Sequence, residues 1–415
     1  MSRAGRSGKP LLMVFLIDAL GHRSVREWGT FAFLPFVDGP VASVCGYSSA
    51  CIPSLLTGRT PAEHGHWGMY LRDPRASIFR RFRPVIDLVG GALGRDYLAR
   101  RIVTKLLSRT GVRGYFSLYQ IPLGLLGQFD LCEKADPYAP GGLAPHATPF
   151  DAAETLKLAW HGWHWRTPEA QRRRLFAEAV AADESDFLFF YSPWFDSVCH
   201  EQGTRSAAAR DCLGDLADFV AAMGARAREK RSAVRILVCG DHGMADVTGI
   251  DDLLTPLRAL PWRMPEDLLY FVDSTMARVW YFRAGVRERV EALLGAAGCG
   301  RILGDDECRA LGVFFPDRRY GETIFLTHPG RMLVPSFMGA TALRAMHGYH
   351  PEHEDSSTVV LTDFPHAPVT SILDIGPLIT RELEALAAGG RPGAAGDRPA
   401  EAGRGAPGPS AEVAP

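Results

Sequence analysis

The chain has 415 residues, 47% of them apolar and 22% charged, a composition that can bury a large core and excludes disorder as its main theme. Lys and Arg number 46 against 47 Asp and Glu, a formal net charge of −1. No overall electrostatic bias therefore directs the chain to nucleic acid or to an acidic partner, and any charge argument has to be local.

The first predicted element is the apolar run Leu11–Ile17. It follows Arg3, Arg6 and Lys9 as a secretory leader would, but Asp18 closes it and no small-residue cleavage site follows, so it reads as mature sequence. Like 187–191 and 236–239 it is continuously apolar rather than alternating, the pattern of a parallel strand buried on both faces. None of these runs approaches the roughly 20 residues of a membrane span. Between the strands, Thr167 as N-cap with Pro168 at the first helical position starts a helix to about residue 182. A second helix, about 206–226, aligns Leu213, Leu216, Val220 and Met223 on one face. Strands alternating with helices predict an α/β fold, a mostly parallel sheet with helices on both faces.

Residues 66 to about 150 and 251 to about 330 break that rhythm and are expected to be insertions forming a cap on one unit spanning 1–388. From 389 to 415 the chain is nearly all Gly, Ala, Pro, Arg and Glu, and a disordered tail is expected there. Eight cysteines are scattered without a Cys-x-x-Cys pair, which suggests neither a disulfide framework nor a cysteine zinc site and suits a reducing cytoplasm.

Acids and histidines cluster just beyond the strands, where open α/β sheets bind ligands. Asp18 directly follows the first strand, Asp196 lies five residues beyond Tyr191, and Asp241 follows Cys239-Gly240. Asp196 and His200 are one helical turn apart and can reach a single ion, while His242 adjoins Asp241 on a turn where Gly243 permits unusual backbone angles. Mixed carboxylate and imidazole donors suit Zn²⁺, with Mn²⁺ as an alternative.

Four motifs then resemble the alkaline phosphatase superfamily, most closely its type I phosphodiesterase/nucleotide pyrophosphatase family: Phe15-Leu16-Ile17-Asp18-Ala19-Leu20, Gly46-Tyr47-Ser48-Ser49 with Leu56-Thr57-Gly58-Arg59, Asp241-His242-Gly243-Met244, and Met346-His347-Gly348-Tyr349. The resemblance covers roughly 11–65, 186–250 and 320–365. It implies an alkaline phosphatase-like fold and two divalent ions, one held by Asp18, Asp241, His242 and the nucleophile oxygen, the other by Asp196, His200 and His347. It also implies a phosphodiesterase acting through a phosphoseryl intermediate on a small-molecule phosphate ester. The family's nucleophile stands nine residues before the Thr of the Thr-Gly pair, which here is Ser48, with Ser49 as second candidate. A hydroxyl there, just before a helix, has free backbone N–H groups beside it for a phosphate oxygen.

Cys51-Ile52-Pro53-Ser54 resembles the segment that sulfatases convert to formylglycine, but it lies three residues out of register and Leu55 stands where Arg is needed. Cys51 also occupies the place of the family's phosphate-holding Asn. His64 reads as structural, His350 and His353 as a solvated loop, and Trp163, His164 and Trp165 as packing or substrate contacts, with Trp194, Phe195, Arg319 and Tyr320 near enough to the motifs to face the ester. Between Arg72 and Arg113 eleven Arg or Lys stand against Asp73, Asp87 and Asp96, and an amphipathic stretch of Leu98, Ile102, Val103, Leu106 and Leu107 lies among them. This segment is either a helix packed on the core with a solvated basic face or a peripheral contact for an anionic surface; it does not establish a nucleic-acid partner. Competing functions are a phosphomonoesterase or phosphonate hydrolase with a different cap, a mutase, a sulfatase, or a metal-independent binding protein retaining the fold. The oligomeric state is not encoded in any motif.

Overall fold

The computed structural model describes residues 9–389 apart from 93–95 and 232; the expected tail, after Gly389, lies outside the described residues, as do Arg3 and Arg6. Six strands form the central sheet: β1 (Leu11–Ile17), β2 (Phe36–Val41), β3 (Trp160–Gly162), β4 (Phe187–Ser192), β5 (Val234–Cys239) and β6 (Thr358–Thr362). Their order is β2-β6-β5-β1-β4-β3. β1 pairs in parallel with β4 and β5, β3 with β4, and only β6 runs against its neighbours β5 and β2. This is the mostly parallel sheet expected from the continuous apolar runs.

Both faces of β1 are covered, which is why its sequence does not alternate. Leu11, Met13, Phe15 and Ile17 join Phe176, Val180, Leu213, Leu216 and Val220 on one face, while Leu12, Val14 and Leu16 join Leu55, Leu56, Leu378 and Leu383 on the other. The helices supplying these residues are α1 (Ser48–Thr57) and α6 (Ile375–Ala387) on one side, α3 (Glu169–Ala182) and α5 (Ala207–Lys230) on the other; α4 (Trp194–Gln202) adds Phe195 and Cys199 to the second side, and α2 (Asp96–Leu107) belongs to the cap. Each fully buried Leu or Phe contributes roughly 1.5–3 kcal/mol. Ser206 caps α5 as its composition suggests, its Oγ accepting from Ala209 N at 3.0 Å. α3 begins one residue later than expected, with Pro168 and not Thr167 as N-cap. Proline's missing N–H costs nothing at either position, so residue type alone does not separate the two registers.

The two irregular segments share a second core. Phe79, Val103, Leu126 and Phe129 from the first pack with Leu269, Phe271, Trp280 and Leu294 from the second. The second segment supplies all of a four-stranded antiparallel sheet of Leu268–Val272, Met276–Tyr281, Thr323–Thr327 and Gly300–Leu303, in that order. The first returns to the central sheet well before residue 150: Tyr138, Leu143 and Phe150 all belong to the core under β1. A capping box closes the helix Pro149–Thr155 and aims Phe150 there, Thr148 N donating to Asp151 Oδ2 at 2.8 Å. Among the described residues no helix is long and apolar enough to cross a membrane, and all eight cysteines are free.

Candidate active site

The carboxyl ends of β1, β4 and β5 open onto one place. Asp18 is the residue after β1, Asp241 and His242 follow β5, α4 brings Asp196 and His200 in from beyond β4, and His347 follows the two-residue strand Ala345–Met346. Ser48 is the first residue of α1. Its Oγ lies 3.0 Å from His242 Nε2 and 3.4 Å from Asp18 Oδ1, whereas Ser49, one residue on, makes no such contact. The N–H groups of Ser48 and Ser49 have no acceptor within the helix, because Tyr47 O takes the first bonds from Ala50 and Cys51.

His242 Nε2 is 3.4 Å from Asp18 Oδ1 and 3.3 Å from Asp241 Oδ2. His200 Nε2 and His347 Nε2 stand 3.3 and 3.6 Å from Asp196 Oδ1. The His242 and His347 rings stack at 3.9 Å, so the two groups adjoin. Tautomers are set from behind: Nδ1 of His242 donates to Gly243 O at 2.9 Å and Nδ1 of His200 to Ala345 O at 2.8 Å, which leaves each Nε2 lone pair facing the acids. Gly243 has a different role from the one expected. Its backbone is not in the left-handed region; a Cβ there would instead come within 2.2 Å of Asp355 O.

These residues fit divalent ions. The ligand atoms of Asp18, Asp241 and His242 lie within 4.8 Å of one another, as do those of Asp196, His242 and His347, and carboxylate with imidazole is the donor set of borderline cations. Asp241 Oδ1 accepts from the N–H groups of Ala19 and His242, but Asp241 Oδ2 and Asp196 Oδ1 are buried with no hydrogen bond. Burial, then the charges of Asp241 and Asp196, pushes the Asp18 carboxyl well above the usual range; burial also raises Asp241. Burial, then His242 and His200, pushes His347 well below the usual imidazole value. The cluster thus holds buried acids short of positive charge beside His347, whose burial disfavours its charged form, the condition a cation relieves. His200 reaches the group through Asp196, and burial, which alone would lower its pKa, is outweighed by that carboxylate.

Packing places the other residues that the sequence singled out. Cys51 is fully buried, its Sγ 3.4 Å from Ser43 Oγ, and burial followed by the Asp241 charge pushes the thiol far up. It backs the site wall and offers nothing to a phosphate. Phe195 is buried against Trp28. Tyr320 is buried with Trp67 and Phe315 and so is turned into packing, while Arg319 is exposed and pairs with Asp317 at 2.6 Å. Trp194 is exposed beneath the Arg173 guanidinium. His64 is buried on Ser54 Oγ at 2.8 Å, with burial lowering it to about 3. His350 faces Glu307 at 3.4 Å and His353 Nδ1 accepts from Asp355 N at 3.3 Å, both away from the cluster. Trp163 packs on Phe176, while His164 and Trp165 both donate to Arg113 O at 3.0 Å.

Residue-type reasoning missed the tyrosines. Tyr191, counted only as the last apolar residue of a strand, donates to Asp18 Oδ2 at 2.6 Å and stacks on Tyr138 at 5.0 Å. Its place at the strand's carboxyl end is the signal that could have found it. Tyr115, on the first insertion, stands exposed against Trp165 with its hydroxyl 3.0 Å from Tyr119 Oη. Its phenol is raised by desolvation, against the opposing Tyr119 hydroxyl, and further by Glu133, Asp196 and Asp18.

Glu133, beside Tyr115, is buried, and burial pushes its carboxyl up to about 7 against the opposing Tyr115 N–H at 3.4 Å. An unfolded glutamate titrates near 4.3. Between these values only the folded state holds the proton, so stability falls as pH rises from about 4 to about 7 and stays low above. Glu133→Gln should raise the thermal midpoint at about pH 8, by the equivalent of up to about 3 kcal/mol, and give no such gain at about pH 4.

A family model, type I phosphodiesterase / nucleotide pyrophosphatase, matches residues 42–279. Among solved structures, murine ectonucleotide pyrophosphatase / phosphodiesterase 5 matches with TM-score 0.64 and 14% identity over 90% of this chain and 95% of that one. Its inactive threonine-to-alanine variant in complex with AMP gives 0.64 and 14% over 91% and 95%. The human protein gives 0.63 and 12% over 91% and 95%. No curated protein matches by sequence.

Proposed function

Because the chain belongs to the type I phosphodiesterase / nucleotide pyrophosphatase family, we propose that it hydrolyses small phosphodiesters by nucleophilic attack of Ser48, with nucleotide esters as the first substrate class. The observation that carries this reading is the Ser48 hydroxyl at a helix N-terminus, against Asp18 and His242. The AMP held by the inactive murine relative supports the substrate class.

Two divalent ions would be held by Asp18, Asp241, His242 and Ser48 Oγ, and by Asp196, His200 and His347; when bound they supply the positive charge that favours the serine alkoxide and offsets that of the phosphate. Ser48 Oγ, its proton lost to solvent, forms a bond to phosphorus as the bond to the leaving oxygen breaks. The N–H groups of Ser48 and Ser49 orient the non-bridging oxygens, a task Cys51 cannot share. Tyr191 fixes Asp18 through Oδ2, leaving Oδ1 to the nucleophile side. A water then attacks the resulting seryl phosphodiester, which keeps the substrate's other ester group, from the vacated side, breaking the bond to Oγ, returning a proton to Ser48 and releasing phosphate monoester.

The test is the initial rate, with Zn²⁺ or Mn²⁺ added, on matched nitrophenyl esters: a phosphate diester, a nucleoside phosphate diester, a monoester, a phosphonate and a sulfate. Diester turnover abolished by EDTA is expected, with the nucleoside ester fastest. A monoester or phosphonate turned over faster than both diesters would replace the reading by the corresponding hydrolase.

A further inference from the structure

The basic segment of the first insertion is not used by the chemistry above, and the structure separates its two faces. α2 turns Ala99, Val103 and Leu107 into the cap core, so much of the apolar stripe is spent on packing, the first of the two readings open to this segment. Arg100 also turns inward, donating to the carbonyls of Leu118, Tyr119 and Ile121 at 3.4, 3.0 and 2.6 Å. What remains outside is Tyr97, Leu98, Arg101, Thr104, Lys105 and Arg109, all exposed.

Large apolar side chains gather there against the cost of hydration. Tyr97 is 73% exposed, Leu98 40%, and Leu88, on the neighbouring turn that packs along α2, 60%. Cations accompany them: the Arg101 guanidinium lies 5.7 Å from the Tyr97 ring, Lys105 is exposed one turn further along α2, and Arg80, Arg81 and Arg83 are exposed in the preceding stretch of chain. Asp87 pairs with Arg83 at 3.3 Å, and Asp96 occupies the first turn of α2. Exposed apolar groups set among cations on a helix anchored from behind form the arrangement that lies on an anionic bilayer, where Lys and Arg meet the headgroups and the apolar side chains enter the acyl boundary.

We propose that this face, centred on Tyr97, Leu98, Arg101 and Lys105, docks on anionic lipid surfaces. Charge complementarity selects the bilayer, and the exposed apolar side chains favour it over nucleic acid, whose backbone offers them no apolar medium. Arg100 holds this face in place from behind, fastening α2 to the segment of Leu118, Tyr119 and Ile121.

The full chain is sedimented with vesicles of phosphatidylcholine alone and of phosphatidylcholine mixed with phosphatidylglycerol, at low and high salt. Selective sedimentation with the anionic vesicles is expected, weakening as salt rises. The pair Arg101→Glu and Lys105→Glu should lower binding at least about 30-fold, and the pair Tyr97→Ser and Leu98→Ser, which leaves the charge alone, about fivefold. Both variants should turn over a soluble diester at the parent rate, which verifies their fold and keeps this result separate from that of the proposed activity. Absence of anionic selectivity, variants that sediment like the parent, a dimer in light scattering that the same substitutions split, or duplex DNA bound in preference to vesicles would each overturn the proposal.

Discussion

Ser48→Ala should lower phosphodiester turnover by on the order of a thousandfold or more, because a nucleophile removed from a covalent route leaves only binding and electrostatics to act. Cys51→Ala should retain most of the activity. The two residues compete in sequence for the same role, and geometry separates them: Ser48 Oγ meets His242 and Asp18, while Cys51, on the buried face of α1, is sealed against Ser43. The check is acid quenching during turnover followed by mass spectrometry of the intact chain. An adduct with the mass of the phosphoryl group and its retained ester substituent on the parent, absent from Ser48→Ala, is the expected result. An adduct that persists in Ser48→Ala and disappears in Ser49→Ala would shift the nucleophile by one residue, and sulfate turnover lost only in Cys51→Ala would replace the class.

The sheet was legible because burial on both faces imposes a composition that nothing else requires: β1, β4 and β5 are continuous apolar runs and little else. The acids after them were legible for a related reason, since chemistry that needs Asp and His at strand ends leaves those letters in fixed places. Tyr191 was not, because a tyrosine completing an apolar strand carries the same letter whether its hydroxyl is idle or, as here, bonded to Asp18. The cap was illegible in detail for a topological reason. Tyr115 meets Trp165, and Phe79 joins a core with Phe271, across long stretches of sequence whose pairing no local period encodes. Tyr320 and Phe195 show the converse, being near the motifs in sequence and turned into packing in space.

Asp241→Asn separates the cost of this site from its use. Asp241 is fully buried, and its carboxylate raises Asp18, so in metal-free protein these acids oppose one another and destabilise the fold. An amide of the same shape removes that opposition and keeps Oδ1 in place to accept from Ala19 and His242. The metal-free variant should therefore melt at a higher temperature than the metal-free parent at neutral pH. It should also gain less on adding Zn²⁺, because stabilisation by a ligand follows its affinity for the folded state. Its Oδ2, the buried atom without a hydrogen bond, is the donor lost to the ion. Bound metal should drop from two ions per chain to one or fewer under the proposed assignment, and diester turnover by on the order of a thousandfold. Calorimetric melts with and without metal, read beside elemental analysis, supply both signs. A variant destabilised in the metal-free form would make Asp241 a structural hydrogen-bond acceptor, whereas one that keeps two ions and full turnover would remove it from the ligand set. Opposite signs in the two melts are what a site built to bind cations at the expense of its own stability must give.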